Sequence, residues 1–513
     1  MNTFLGRFVE ELTELYISGL TLDNGKKIKV HCLAAPVDSM ARPVCQNVNQ
    51  HNGTCGCSYC LHPGEKLQVL GNVRVYRGDE GTPRTEDQHM KDMKAILTGK
   101  PVHKVKGPSI LMLIPLFHII YSFNADYMHN ICLGVVKMFL NNWLKSSNFA
   151  EKWYLGVHLD KLNERLARIN PTAEITRFTK DLKFRHCWKA SEYRNFLLYY
   201  SLPMLKGFLP LKYYKHFSLL VYSVTIFLQE KISDEDFKSA TVALRTFVLE
   251  TEKLYGKKFM TYNMHILLHV PKFVKMWGAL WDTSCFMYET YNGILLNLFR
   301  GTQHVSHQIV KNYYRVIALN NYLRETFDPN LSVHDWTPGS EKLFQALFGQ
   351  FIRRSSLYKE KIKCLGKSTS FVPSVLQNFA IENYFNSEIS DPMISYERFT
   401  YKKNLFAVTS YKRSRRINSI VRLTSGKIFQ IDEFVIVNGR HLLLGQELNY
   451  DVSALPINTT LIKNKSIMPA LVTTFDTSLK VVDVREIKNK CIFMHMNDNE
   501  IYVSDLVNKF ERD

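Results

Sequence analysis

Apolar residues recur with two different periods along this chain, and the change of period divides it. Phe4, Phe8, Val9, Leu12, Leu15 and Tyr16 share one face of a 3.6-residue repeat, which predicts an opening helix ended by Gly19. Asp23-Asn24-Gly25 is a tight-turn signal. Beyond it Ile28, Val30 and Cys32 alternate along a predicted strand over 27–34, with Asp38 just past its end. Residues from about 61 to 108 are polar and rich in Gly and Pro, and read as a long loop. From about 110 to 270 the period is helical, as in 132–144 and the aromatic-rich 196–228. Asp282 or Thr283 is placed to cap a helix running to Arg300, with Gly301 as its stop and Glu289 in its second turn. A basic segment follows at 330–395, holding Arg353, Arg354, Lys359, Lys361, Lys363 and Lys367 against Glu360. After about 396 short β-rich runs, such as 420–423, 427–437 and 471–474, alternate with Gly, Asn and Asp turns, and Ser425-Gly426 marks a hairpin. This predicts a small β-barrel or sandwich of about 110 residues.

Composition narrows the class. Hydrophobic residues make up 46% and aromatics 12% of 513 residues, enough to bury a large core and to exclude a disordered chain. The net charge of +19 is the footprint of a polyanion partner, with a merely basic soluble protein as the plainer reading. The longest apolar run, Ile110 to Phe123, contains His118 and falls short of the ~20 residues a spanning helix needs, so no membrane partner is expected. No basic-then-apolar leader opens the chain, so no signal peptide is read. Ten cysteines are too few for a disulfide scaffold, and three of them cluster at Cys55, Cys57 and Cys60, which favours metal in a reducing compartment.

Two short-spaced pairs carry the chemistry. Cys57 and Cys60 form C-x-x-C; His265 and His269 form H-x-x-x-H at helical i, i+4 spacing. Each is the usual half-site of a structural zinc, and four such ligands complete a tetrahedron. The site would staple the chain across 205 residues. The plainer reading is two loop thiols and two core histidines. Cys55 and His62 are additional donors nearby, and we expect neither to be a ligand.

Asp38 precedes Cys57 by 19 residues, and Glu289 follows His269 by 20. The order Asp, C-x-x-C, long insertion, H-x-x-x-H, Glu resembles the catalytic core of CACTA-like DDE transposases, relatives of the V(D)J recombinase. The likeness extends to 51–64, to Asp126-Tyr127-Met128-His129-Asn130, to Trp188 through Arg194 and to Gly278-Ala279-Leu280-Trp281, over roughly the first 330 residues. It implies a truncated RNase H-like core with the C-x-x-C segment in 1–108. A helical insertion with H-x-x-x-H and the Glu-bearing helix would fill 109–330, a basic helical linker 331–395 and the β domain 396–513. Asp38 and Glu289 become candidate catalytic carboxylates for two Mg²⁺ or Mn²⁺ ions. The family's first Asp has no counterpart, because only Asp23 precedes Asp38 and it sits in a turn.

The resemblance therefore implies a transposase-derived, zinc- and DNA-binding nuclear protein that does not cut DNA. Two alternatives stay open: an active strand-transfer enzyme whose N-terminus is incomplete, and a zinc-stabilised protein-interaction module. A homo-oligomer is compatible with each. Asp126 and His129 also read as a helix cap, and Trp188 to Arg194 as core packing. Lys412-Arg413-Ser414-Arg415-Arg416 reads as a phosphate-binding or nuclear-import segment, or equally as a solvated basic hairpin.

Overall fold

A computed structural model describes residues 2–68, 73–99, 102–326, 362–412 and 415–507. The helical body is built on Leu211–Phe227, a helix apolar on nearly every side and almost entirely buried. Asp234–Tyr255 packs along it. Ser233 caps that second helix by accepting from Asp236 N–H, three acidic residues fill its first turn, and Gly256, at φ 85°, ends it. Phe139 sits at the centre of the body, its ring against Trp143, Phe217, Phe247, Tyr255 and Phe259.

The C-terminal region is a closed barrel. Its strands are β1 (Ile420–Leu423), β2 (Ile428–Val437), β3 (Arg440–Asp451), β4 (Ala470–Phe475), β5 (Ile487–His495) and β6 (Ile501–Asp505). All pair antiparallel in the circular order β1-β2-β3-β4-β6-β5-β1. Closure leaves no free edge among the six. The β1–β2 hairpin turns where Ser425-Gly426 predicts, with Gly426 at φ 88°, which a side chain would resist.

Barrel and body share one core. Leu455, Ile457, Met468, Ile492, Met494 and Tyr502 are buried in the same cluster as the helical aromatics. Lys490 of β5 is buried against both carboxylate oxygens of Glu174 at 3.0 Å, and it also donates to Asn418 Oδ1 at 2.8 Å. Arg416, from the basic run, turns inward and donates to the carbonyls of Thr172, Ile175 and Thr176. It therefore clamps the barrel to the body, while Lys412 and Arg415 are exposed and Arg413 and Ser414 lie outside the described residues.

The N-terminal part departs from expectation. The opening helix, Asn2–Ile17, forms with Gly19 beyond it at φ 72°. The strand expected over 27–34 shrinks to Lys27–Ile28, paired with Leu20–Thr21 in an exposed hairpin. Alternation supplied a strand-like pattern, but among the described residues no neighbouring strand is present for the rest to pair with. A multi-stranded RNase H-like sheet is not formed among the described residues; the one parallel pairing there is the bridge Val37 to Ala125. The stretch read as a long loop holds a hairpin, Glu65–Leu67 with Val73–Val75, and a helix, Glu86–Leu97. Thr85 caps that helix by accepting from Gln88 N–H, and Glu86 and Asp87 follow. The Glu-bearing helix is shorter than expected, Phe286–Leu296, so Glu289 falls in its first turn. Of the expected basic helical linker, 331–361 lie outside the described residues, which include Arg353, Arg354, Lys359, Glu360 and Lys361. Its remainder holds two short strands, a helix (Val375–Phe385) and a third strand rather than helix alone. No helix of the described residues is long and apolar enough to cross a membrane.

Candidate metal centre

Both halves of the cysteine–histidine motif are held by local geometry. Thr261 caps the Tyr262–Ile266 helix that carries His265. A tighter turn, Leu267–His269, follows before Pro271 opens the next helix, Val270–Trp277. The junction brings His265 Nε2 and His269 Nε2 within 3.3 Å. Opposite them the cysteine loop is gathered by Arg84, whose Nε donates to Cys57 O at 2.9 Å and Nη2 to Cys55 O at 2.7 Å. Gly56 is obligatory here: a Cβ would stand 2.5 Å from Gln50 O and 2.8 Å from His51 Cα. Tyr59 N–H points at Cys57 Sγ, 3.5 Å away.

Cys57, Cys60, His265 and His269 are all buried, with one donor atom from each within 4.8 Å of the others. Cys57 Sγ lies 3.5 Å from His269 Nε2, and Cys60 Sγ 3.2 Å from His265 Nε2. A tetrahedral zinc with ordinary bond lengths sets sulfur–nitrogen edges of roughly 3.5 Å and nitrogen–nitrogen edges of roughly 3.3 Å. The four donors fit that figure and can hold one metal ion. Hydrogen bonds from Cys57, His265 and His269 hold the Cys60 thiol far below the usual thiol range, against the opposing effect of burial. Burial pushes Cys57 well above that range. Burial also lowers His265; for His269 it is outweighed by hydrogen bonds to Cys60 and Glu80, and the net direction is up.

The surroundings suit a bound metal. His269 Nδ1 is 3.1 Å from a Glu80 carboxylate oxygen, the arrangement that fixes a ligating imidazole's tautomer. Tyr76 stacks on His265, with ring centroids 5.0 Å apart. The two donors set aside from the sequence are occupied elsewhere. Cys55 Sγ rests against Leu61 O at 3.6 Å, and both His62 nitrogens are engaged, by Arg77 O and Gly64 N–H. Glu80 and Arg84 escaped the sequence reading, because neither sits in a motif or a periodic element.

Asp38 and Glu289 lie apart from this quartet. Asp38 is half-buried, and its Oδ1 accepts from Met40 and Ala41 N–H, capping the Ala41–Gln46 turn of helix. Glu289 is exposed. The negative charges of both act on His129 and on the Cys285 thiol. Trp188 is buried and its indole N–H donates to Lys180 O at 3.1 Å, while Glu192 accepts from Lys189 N–H; this segment packs the core. No protein-family model, curated protein or solved structure matches the chain.

Proposed function

We propose that this chain is a DNA-binding protein derived from a CACTA-like DDE transposase, stapled by one structural zinc and not itself able to cut DNA. The observation that carries the reading is the closure of the quartet. C-x-x-C and H-x-x-x-H are 205 residues apart in the sequence, and the order in which they alternate with Asp38 and Glu289 is what the family resemblance rests on. Their convergence within 4.8 Å supports that order as a structural plan. The parallel bridge from Val37 to Ala125 adds support, since it sets Asp38 level with Asp126 at the ends of two adjacent segments. The charge of +19 supplies the attraction for a polyanion.

Strand cleavage by two metal ions needs several carboxylates converging on both. Here Asp126 is fully engaged in hydrogen bonds, which leaves Asp38 and Glu289 of the candidate carboxylates. A second reading, a zinc-stabilised protein-interaction module, is favoured by the exposed apolar side chains of Phe286–Leu296 and Val305–Thr326, among them Met287, Tyr288, Leu296, Tyr314 and Tyr322.

Anisotropy of a labelled duplex separates the two. DNA binding through phosphate contacts should weaken by at least about tenfold between about 50 and about 200 mM salt. Binding that is absent at the lower salt, or indifferent to salt, overturns the DNA reading.

A further inference from the structure

Away from the quartet, a cleft opens where the barrel meets the body. The segment that leads into β1 faces Asn170 of the body across a cavity of about 260 Å³. Clefts for drug-sized molecules run from roughly 300 Å³ upwards, so this one suits a smaller group or a short stretch of a polymer. Lys412, Arg415 and Arg416 line it together with Thr409 and Ser419, and none of its lining residues is acidic. The acids tied to the lining are already engaged. Glu174 is buried in its ion pair with Lys490, which also donates to Asn418. Asp432 accepts from Thr409 Oγ1 at 3.0 Å and from Gln430 Nε2 at 3.1 Å. Soluble surfaces ordinarily intersperse both signs of charge, and this cleft presents one.

The three cations differ in what holds them. Arg416 is fixed by the carbonyls of Thr172, Ile175 and Thr176. Its guanidinium lies 4.8 Å from the centroid of the Phe178 ring, and that of Arg415 lies 5.5 Å from the same ring, which is 40% exposed. Phe178 therefore seats Arg415 at the rim by a cation–π contact. Lys412 and Arg415 are exposed, and among the described residues neither forms an ion pair or a side-chain hydrogen bond. The planar fork of Arg415 matches the oxygens of a phosphate, and Lys412 adds a point charge beside it.

We propose that this cleft seats backbone phosphates of duplex DNA, with Arg415 and Lys412 as the contacting cations and Phe178 as the residue that positions Arg415. The inference rests on the DNA-binding reading and adds where on the surface the duplex lies. Contacts of this kind go to phosphates and not to base edges, so the cleft sets affinity and orientation without selecting a sequence.

The test follows the anisotropy of two labelled duplexes of unrelated sequence titrated with the full chain, from about 50 to about 200 mM salt. Lys412→Ala combined with Arg415→Ala removes two phosphate contacts, so the slope of log affinity against log salt should shrink by about 2, equally on both duplexes. Its melting temperature should match the wild type, because both side chains are exposed. Arg415→Lys keeps the charge and should keep the slope. Phe178→Ala should reduce the slope by about 1, a readout that lost packing alone would not move. A double variant with the wild-type slope, or affinity lost on one duplex only, overturns the inference while the DNA-binding reading stands. Tighter binding to vesicles of anionic phospholipid than to either duplex, lost in the same double variant, assigns the cleft to a lipid headgroup and also overturns it. A wild type without salt-dependent DNA binding overturns the inference together with the reading beneath it.

Discussion

Removing the metal from the Cys57, Cys60, His265 and His269 centre should unhook the cysteine loop from the helical body. A cross-link closing a loop of about 100 residues is worth about 4.7 kcal/mol in chain entropy, and each doubling adds only about 0.6. The 205-residue separation between Cys60 and His265 therefore sets a contribution of about 5 kcal/mol. That is a large share of the roughly 5–15 kcal/mol that keeps a domain folded. At roughly 2–4 °C per kcal/mol for a body of this size, the melting temperature should fall by roughly 10 °C or more. The assay pairs zinc quantification with calorimetry for the wild type, Cys57→Ser and His269→Ala. About one zinc per chain is expected in the first, and lost together with stability in the other two. Cys55→Ser and His62→Ala are the controls and should keep the metal, because their donor atoms are engaged elsewhere. Purified protein without stoichiometric zinc, or a Cys57→Ser variant that melts with the wild type, would refute the reasoning.

Three further outcomes follow from single contacts. Glu80→Gln removes the carboxylate behind His269, and competition with a chelator should show zinc affinity lower by about 10- to 100-fold; an unchanged affinity would mean the 3.1 Å contact does not tune the ligand. Glu174→Gln leaves Lys490 buried without its counter-charge and should cost about 3–5 kcal/mol in denaturant unfolding, whereas Glu174→Met with Lys490→Met should cost less; equal losses would contradict a charge origin. His216 is fully buried against Phe247 O at 2.8 Å, and burial holds its pKa at about 4, below its unfolded value. The unfolded state then takes up a proton that the native state refuses, so this stability is present at neutral pH and falls as pH drops from about 6.5 to about 4, by at most about 3 kcal/mol. His216→Gln should flatten that slope in unfolding measured at several pH values, and an unaltered slope would place the acid sensitivity elsewhere.

What could be read from the sequence was whatever depends on spacing. The quartet was legible because two ligands three or four residues apart are already half-organised, whatever lies between the pairs. The β1–β2 hairpin was legible because Gly426 supplies a turn that the flanking runs cannot. Glu80 and Cys285 were illegible because each reaches its partner through tertiary placement alone: Glu80 contacts His269 and Cys285 N–H contacts Asp126. Alternation at Ile28, Val30 and Cys32 misled because a strand is defined by a neighbour, and among the described residues only Leu20–Thr21 offers one. The helix Glu86–Leu97 hid in a polar stretch because it buries little apolar surface; its cap, Thr85, was the available signal. Arg416 looked like part of a solvated basic run, and nothing local marks it as the residue that turns inward to three carbonyls.

The most direct measurement is a strand-nicking assay on supercoiled DNA with Mg²⁺ or Mn²⁺, comparing this chain with its Glu289→Gln variant. With Asp126 committed to four hydrogen bonds, Asp38 and Glu289 are the candidate carboxylates that remain, too few to hold two ions against their mutual repulsion. The account predicts DNA that is bound and uncut, with no difference between the two proteins in either metal. Nicking that the variant abolishes would contradict it and establish a working nuclease centre.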